Sequence, residues 1–355
     1  MVGTSKQHVG MSVGRNGSID LFRLVVSMAI VMIHFGTGVR IYSPIYNTLG
    51  RMGVPFFFLV TGYFYFSKVT DHKVEEKFNW RYYAKFMVKT FKIWLFWSIL
   101  FIPRIFLVKQ DIPITPFIVL RSLYGLSVTC GPLWYLIAAV EALALVHLTF
   151  QKLGKKWLIG LLLVTWVLCL LGSSYFGLLA SWQSVQILFQ LVAPETSIFS
   201  AYFWFGVALL FVLYKKHLSK FSALKSFVAC TVLWALEIVI IKHFDLINGT
   251  DMYVMLVPES VLFLNLLFTY PMGITKRVDK ILCDYSLYIY ILQMFAGDLV
   301  NWLARIADIS HPENSLFYFW IVLVLDIILA SVVIGLKSYF KVGFNQTFRV
   351  LHRMR

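Results

Sequence analysis

Acidic residues are scarce. Asp and Glu number 17 against 32 Lys and Arg in 355 residues, and charged residues of both signs make up only 14% of the chain. A soluble domain carries about 25% charged residues, so a water-facing surface over the whole chain is excluded. Cysteine is equally sparse. Cys130, Cys169, Cys230 and Cys283 stand singly, without CxxC or metal-like spacing, which predicts neither a disulfide framework nor a metal site. The leader Met1 to Ser18 lacks a compact apolar core and a small-x-small cleavage pattern, so the first hydrophobic segment is expected to be retained. No linker, low-complexity tract or short internal repeat is evident. What fills the chain is apolar: 59% hydrophobic, with a mean hydropathy of +0.77. That is the composition of a polytopic membrane protein.

A membrane helix needs about 20 mostly apolar residues. Ten segments qualify, near 19–38, 52–67, 86–108, 132–150, 157–176, 197–214, 223–241, 252–271, 284–303 and 316–336. The expected fold is an all-α integral membrane protein of about ten transmembrane helices. Its parts would be an N-terminal segment 1–18, a membrane domain 19–340 and a basic tail 341–355. The semi-apolar stretch 177–193 is expected in the interface or re-entering the protein. Ten spans put both termini on one side, where the loops hold 21 Lys and Arg against 6 on the other. The positive-inside rule makes the termini cytoplasmic and turns the excess of 15 positive charges into a topology signal rather than a nucleic-acid footprint.

The first span is the most unusual. It carries Asp20, Arg23 and Ser27 and ends at His34. At about 100° per residue, positions 23 and 34 fall within roughly 20° of each other, and they are about 16 Å apart along the axis. A polar stripe therefore joins the cytosolic boundary to the outer half of the membrane, where such groups face a bundle interior or cavity. Imidazole at His34 can take a proton from an attacking hydroxyl or itself accept an acyl group; packing between helices is the alternative. Arg23 can grip phosphates arriving from the cytosol or snorkel to headgroups. Asp20, three residues earlier, can pair with it.

Further polar groups fall inside the spans: Arg104, Glu141, His147, Glu237, Glu259, Gln293, Asp298 and Asp326. Arg51 stands at the outer end of the second span. Glu259 and Asp298 fall in the outer half with His34, while Glu141, Gln293 and Asp326 fall nearer the midplane. The run Phe78 to Phe86, followed by Lys89 and Lys92, mixes aromatics and cations. It can anchor the third helix at headgroups or form a cytosolic phosphate site.

Taken together, these stretches resemble the membrane-bound acyltransferase family 3, bacterial enzymes that acylate cell-surface polysaccharides. The family's Asp-x-x-Arg, followed by ten residues and a histidine, falls on Asp20, Arg23 and His34. Gly53-Val54-Pro55-Phe56-Phe57-Phe58-Leu59-Val60-Thr61-Gly62-Tyr63 is similar to its Pro-Phe-Phe-Phe-x-x-Ser-Gly-Tyr segment. Gly131-Pro132-Leu133-Trp134-Tyr135-Leu136 and Tyr285 to Tyr290 are similar to its later signatures. There are departures: Thr61 replaces serine, Gln293 stands where many members have histidine, and Lys89 to Trp94 lacks the usual Arg-x-x-Pro. The aromatic second-span motif is also similar to the membrane half of membrane-bound serine racemases linked to vancomycin resistance. There that half is fused to a soluble racemase, an arrangement not expected within these 355 positions.

The resemblance implies an enzyme of the bacterial plasma membrane that moves an acyl group, often acetyl, from cytosolic acyl-CoA to an acceptor outside. His34 and Arg23 inherit the family's histidine and arginine. Asp20 completes the expected catalytic set, and Arg51, Trp134, Glu141, Glu259 and Gln293 are the expected substrate-binding set. Membrane lipid, acyl-CoA and a hydroxyl acceptor such as a surface glycan are the expected partners, with no metal and no nucleic acid. The rival is a non-catalytic membrane domain that binds or moves a small solute such as serine.

Overall fold

A computed structural model describes residues 16–70, 80–104, 131–214, 220–246 and 249–353. Cys130, Phe78, Asn79, the end of the predicted third span at 105–108 and most of the segment 1–18 lie outside the described residues. Among the described residues the regular elements are all helical. They are α1 (Gly17–Phe35), α2 (Arg51–Thr70), α3 (Trp80–Leu100), α4 (Trp134–Gly172), α5 (Gln183–Val192), α6 (Ile198–Tyr214), α7 (Lys220–His243), α8 (Leu256–Thr269), α9 (Lys276–Ile306) and α10 (Tyr318–Arg353). Short 3-10 and π turns join several of them.

Among the described residues, six helical segments are long and apolar enough to cross a membrane: Gly17–Phe35, Tyr46–Val69, Gly131–Gly172, Lys220–His243, Lys276–Ile306 and Tyr318–Tyr339. The other predicted spans fall short by this measure for particular reasons. α3 carries Arg81, Lys85 and Lys89 between its start and Lys92, a fourth cation. α6 follows α5 across a 42° bend, and α8 is only 14 residues long. The fourth and fifth predicted spans are the two halves of α4, separate helices that meet at a kink where Gly154 leaves helical geometry, with φ 81° and ψ 177°. That φ suits glycine because it has no Cβ to clash there.

The starting point of α1 is set by its cap. The Asn16 side chain accepts from Ser18 N at 3.0 Å and donates to Leu267 O at 2.9 Å, which satisfies an otherwise orphan helix N–H and ties α1 to α8. Contacts along α1 then fix its neighbours. Asp20 meets Cys283, Ser286 donates to Arg23 O, and the Phe35 ring packs on Gly297, so α1 and α9 run parallel. Lys337 bonds Asp284, Ser331 bonds Tyr285, and Tyr318 bonds Asn301, so α10 runs antiparallel to both. The start of α1 and the far part of α10 thus share one end of the bundle, called the terminal end below.

α2 runs antiparallel to α1. Gly53 packs on Ile30 near one end, and Arg23 stands over the Phe64 ring at 5.7 Å near the other. The α2 aromatics form the packed centre: Phe56 and Phe58 are almost wholly buried, and Phe58 meets Tyr135 at a tilt and Phe205 edge to face, with ring centroids 4.5 and 5.2 Å apart. These rings, rather than aliphatic side chains, wedge α2 between α1, α4 and α6.

Candidate functional site

Pro55 fixes the floor of the site. As the fifth residue of α2 it cannot donate a backbone hydrogen bond to the carbonyl of Arg51. The helix arrives there through a π turn, Tyr46–Gly50. Beside this entry, where Gly50 and Gly53 pack closely on α1, lies a cavity of about 260 Å³ that α1 and α2 share with segments distant in sequence. Its wall includes His34, Arg51, Trp134, Glu195, Asp251 and Tyr290.

His34, in the last turn of α1, is exposed where it lines this cavity. Its ring makes no hydrogen bond among the described residues and touches Phe35 edge to face at 6.3 Å. Arg51 pairs through Nη1 with Asp251, while its buried Nε has no partner among the described residues.

The loop that brings Asp251 to Arg51 is held from behind. Ser173 Oγ accepts from Asp251 N at 2.8 Å and from Met252 N at 3.2 Å. Glu237, on α7, accepts from Tyr175 Oη and Val254 N on one oxygen and from Met255 N on the other, at 2.7–2.8 Å. Its carboxylate therefore satisfies N–H groups at the start of α8, where negative charge is favoured.

Glu195 reaches the cavity from a different direction. Ala193, at φ 43°, ends α5, and the turn Pro194–Thr196 then sets the Glu195 carboxylate against Gly172. A Cβ at Gly172 would collide with that carboxylate, so the close approach requires glycine there.

The sequence-predicted residues separate into two groups. His34, Arg51 and Trp134 share the cavity wall. Arg23 and Asp20 do not line it. They pair with each other at 2.8 Å, beside Cys283 and Phe64, at the terminal end. Gln293 is fully buried; its Nε2 donates to Tyr290 O at 2.7 Å, while its Oε1 has no partner among the described residues. Glu259 accepts from Thr231 at 2.6 Å, and Glu141 lies on α4; neither lines the cavity. Of the other intramembrane groups, Arg104 is forked onto Asp298, and Asp326 is fully buried without a hydrogen-bond partner among the described residues.

Between the cavity and Arg23 stands an aromatic layer. Phe57, Tyr135 and Tyr290 lie with ring centroids 5.8–6.1 Å apart, Tyr135 bonds Thr61 at 3.1 Å, and Tyr290 donates to Pro132 O at 2.7 Å. Along α2, Phe57 and Thr61 come after the cavity-lining Pro55 and before Phe64 beneath Arg23.

Glu195 and Asp251 are the cavity residues that sequence reasoning missed. Glu195 closely follows a semi-apolar stretch without charges, and Asp251 sits in a short loop on the side poor in Lys and Arg. An isolated acid in such surroundings was the available signal.

A family model described as "Acyltransferase domain" matches residues 16–336. Similar curated proteins include an "Amino-acid racemase" of Enterococcus faecalis, 26% identical over 345 residues, covering 93% of this chain and 47% of that protein. A "Serine/alanine racemase" of Enterococcus gallinarum is 25% identical, covering 88% of this chain and 45% of its own length. The chain thus spans about half the length of these relatives. No solved structure gives a significant match.

Proposed function

The chain belongs to the acyltransferase-domain family, and from that premise we propose that it transfers an acyl group, acetyl in the simplest case, from acyl-CoA to a hydroxyl of a cell-envelope acceptor such as a surface glycan. The observation that carries this reading is His34, open to a cavity that also holds a guanidinium and two carboxylates. As general base, His34 takes the proton of the acceptor hydroxyl while its oxygen attacks the acyl carbonyl carbon. The carbon–sulfur bond then breaks, and the proton ends on the coenzyme A thiolate. As acyl carrier, the neutral imidazole attacks the thioester carbonyl, the carbon–sulfur bond breaks and coenzyme A leaves as the thiol with the ring proton; the acyl group then passes to the hydroxyl, whose proton returns to the ring. Arg51 and Trp134 bind the acceptor, and Gln293 steadies Tyr290 on the cavity floor.

The topology of this reading has ten spans, adding α3, the second half of α4, α6 and α8 to the six long apolar segments. Both termini are cytoplasmic and the membrane is the bacterial plasma membrane. The asymmetry of 21 against 6 basic residues between the two sets of loops supports that orientation. Acyl-CoA then comes from the side of Arg23 and Asp20, and the acceptor from the side of Arg51. The reaction requires the Phe57–Tyr135–Tyr290 layer to part so that the acyl group reaches His34.

A second reading rests on the opposed charges in the cavity. The Arg51–Asp251 pair on one wall and Glu195 on another suit a small zwitterion, and the racemase names of the relatives fit an amino acid. In that case the domain binds or moves the solute without an acyl donor.

Purified protein in liposomes separates the two readings. Labelled acetyl-CoA should be consumed in the presence of a hydroxyl acceptor, and His34→Ala should lower that turnover by about a thousandfold while the protein stays folded. Undiminished turnover in the variant removes His34 from the chemistry. Solute flux without donor use favours the second reading.

A further inference from the structure

The outward face of α3 has no role in the chemistry above. Arg81, Lys85, Lys89 and Lys92 recur at four, four and three residues, which aligns them along one side of the helix. All four are exposed, and none takes part in an ion pair among the described residues. Toward the bundle centre the same face turns apolar, with Phe96 60% and Leu100 54% exposed. The switch from cationic to apolar falls at Lys92.

Two grooves meet at that residue. One, of about 640 Å³, runs along the cations from Arg81 to Lys92. The other, of about 550 Å³, lies between α3, α9 and α10, walled by Phe96, Trp97, Leu100 and Leu336 among others. Lys92 belongs to both, and Lys337 of α10 closes the far wall of the apolar groove. Lys337 is held there by Asp284 at 2.9 Å and stands over the Tyr288 ring at 5.3 Å. An apolar trough therefore has a cation from a different helix on each side of one end.

The level of that end matters. Lys337 is paired with Asp284, the residue next to Cys283, which bonds Asp20. The two lysines thus stand level with the first turns of α1, where the hydrocarbon gives way to headgroups. Bilayer phosphates lie at this depth, and the trough runs from it toward the midplane. Cations that merely snorkel need no trough beside them and no second cation across it.

We propose that this groove binds one anionic phospholipid from the leaflet at the terminal end. The phosphate sits between Lys92 and Lys337, Lys89 extends the positive field beyond it, and part of one acyl chain lies along Phe96, Trp97 and Leu100. Basic residues at the membrane boundary recognise such headgroups through charge, and the apolar wall supplies the hydrocarbon contact.

Native mass spectrometry of the full chain, delipidated and then titrated with phosphatidylglycerol or phosphatidylcholine, tests this. One phosphatidylglycerol should be retained at least tenfold more tightly than phosphatidylcholine. Lys92→Gln combined with Lys337→Gln should abolish that preference, whereas Lys85→Gln, outside the apolar groove, should leave it. Phe96→Ser, at an exposed position, should weaken retention without removing the headgroup preference. Equal retention of the two lipids, or an unchanged preference in the double variant, would overturn the proposal. So would displacement of the bound lipid by stoichiometric coenzyme A, which would assign the face to the acyl donor.

Discussion

Arg23 and His34 occupy one stripe of one helix, and their surroundings could hardly differ more. Around Arg23 everything is engaged: Asp20 at 2.8 Å, the Cys283 sulfur at 3.5 Å, the Phe64 ring at 5.7 Å, and a side chain only 23% exposed. Around His34 there is open volume and no hydrogen bond among the described residues. Helical periodicity sets the direction in which a side chain points. What fills the space in front of it is decided by neighbours distant in sequence, here the aromatics of α2 on one side and the 249–255 loop on the other.

The largest effect expected from disturbing this contrast is the loss of turnover in His34→Ala. Next comes Arg23→Ala, because it leaves the almost buried Asp20 carboxylate without its cation. Breaking a buried pair from one side costs on the order of 3 kcal/mol, and removing both partners costs less. Thermal unfolding of Arg23→Ala should therefore show a clear loss of stability, and Asp20→Asn combined with Arg23→Ala should recover part of it. If Arg23 also holds donor phosphates, the KM for acyl-CoA stays raised in the double variant. A KM that returns to wild type with stability would make the Arg23 region purely structural and sharpen the contrast with His34.

Glu237→Gln acts on the other region from a distance. The substituted amide must turn an NH₂ toward backbone N–H groups that now share two carboxylate oxygens, a loss of about 2 kcal/mol for hydrogen bonds to a charged group. Because those groups belong to the loop that carries Asp251, the acceptor KM should rise about tenfold while kcat stays within twofold. An equal fall in kcat would mean that the loop positions His34 as well as the acceptor. No change in KM would separate Glu237 from the site.

Much of this was legible in the sequence where one element decides the outcome. The apolar runs and the basic asymmetry give a multi-helix membrane protein, and the α1 motif singles out His34. The sites that depend on two distant segments were not legible. Nothing at Glu237 announces that its carboxylate caps α8, because the partner N–H groups are backbone atoms common to every sequence. Glu195 and Asp251 are single acids in loops, and only the left-handed Ala193 and the Ser173 cradle bring them to the cavity. The break between the fourth and fifth predicted spans, by contrast, is local: hydropathy separates the helices on either side of Gly154, and the backbone leaves helical geometry there.

The smallest effect expected tests whether the two ends of the stripe communicate. Thr61 bonds Tyr135, and Tyr135 packs with Phe57 and Tyr290 between the cavity and Arg23. Thr61→Ser keeps the hydroxyl and should leave stability and turnover unchanged. Thr61→Val preserves the shape and removes the bond, which should cost about 1 kcal/mol in unfolding measurements. If the layer divides donor from acceptor space, loosening Tyr135 should also raise acetyl-CoA hydrolysis in the absence of acceptor, because water in the cavity then meets the acyl group prematurely. A Thr61→Val protein with lower stability but unchanged background hydrolysis would make the layer passive packing. The acyl group would then have to reach His34 by a path that avoids these three rings.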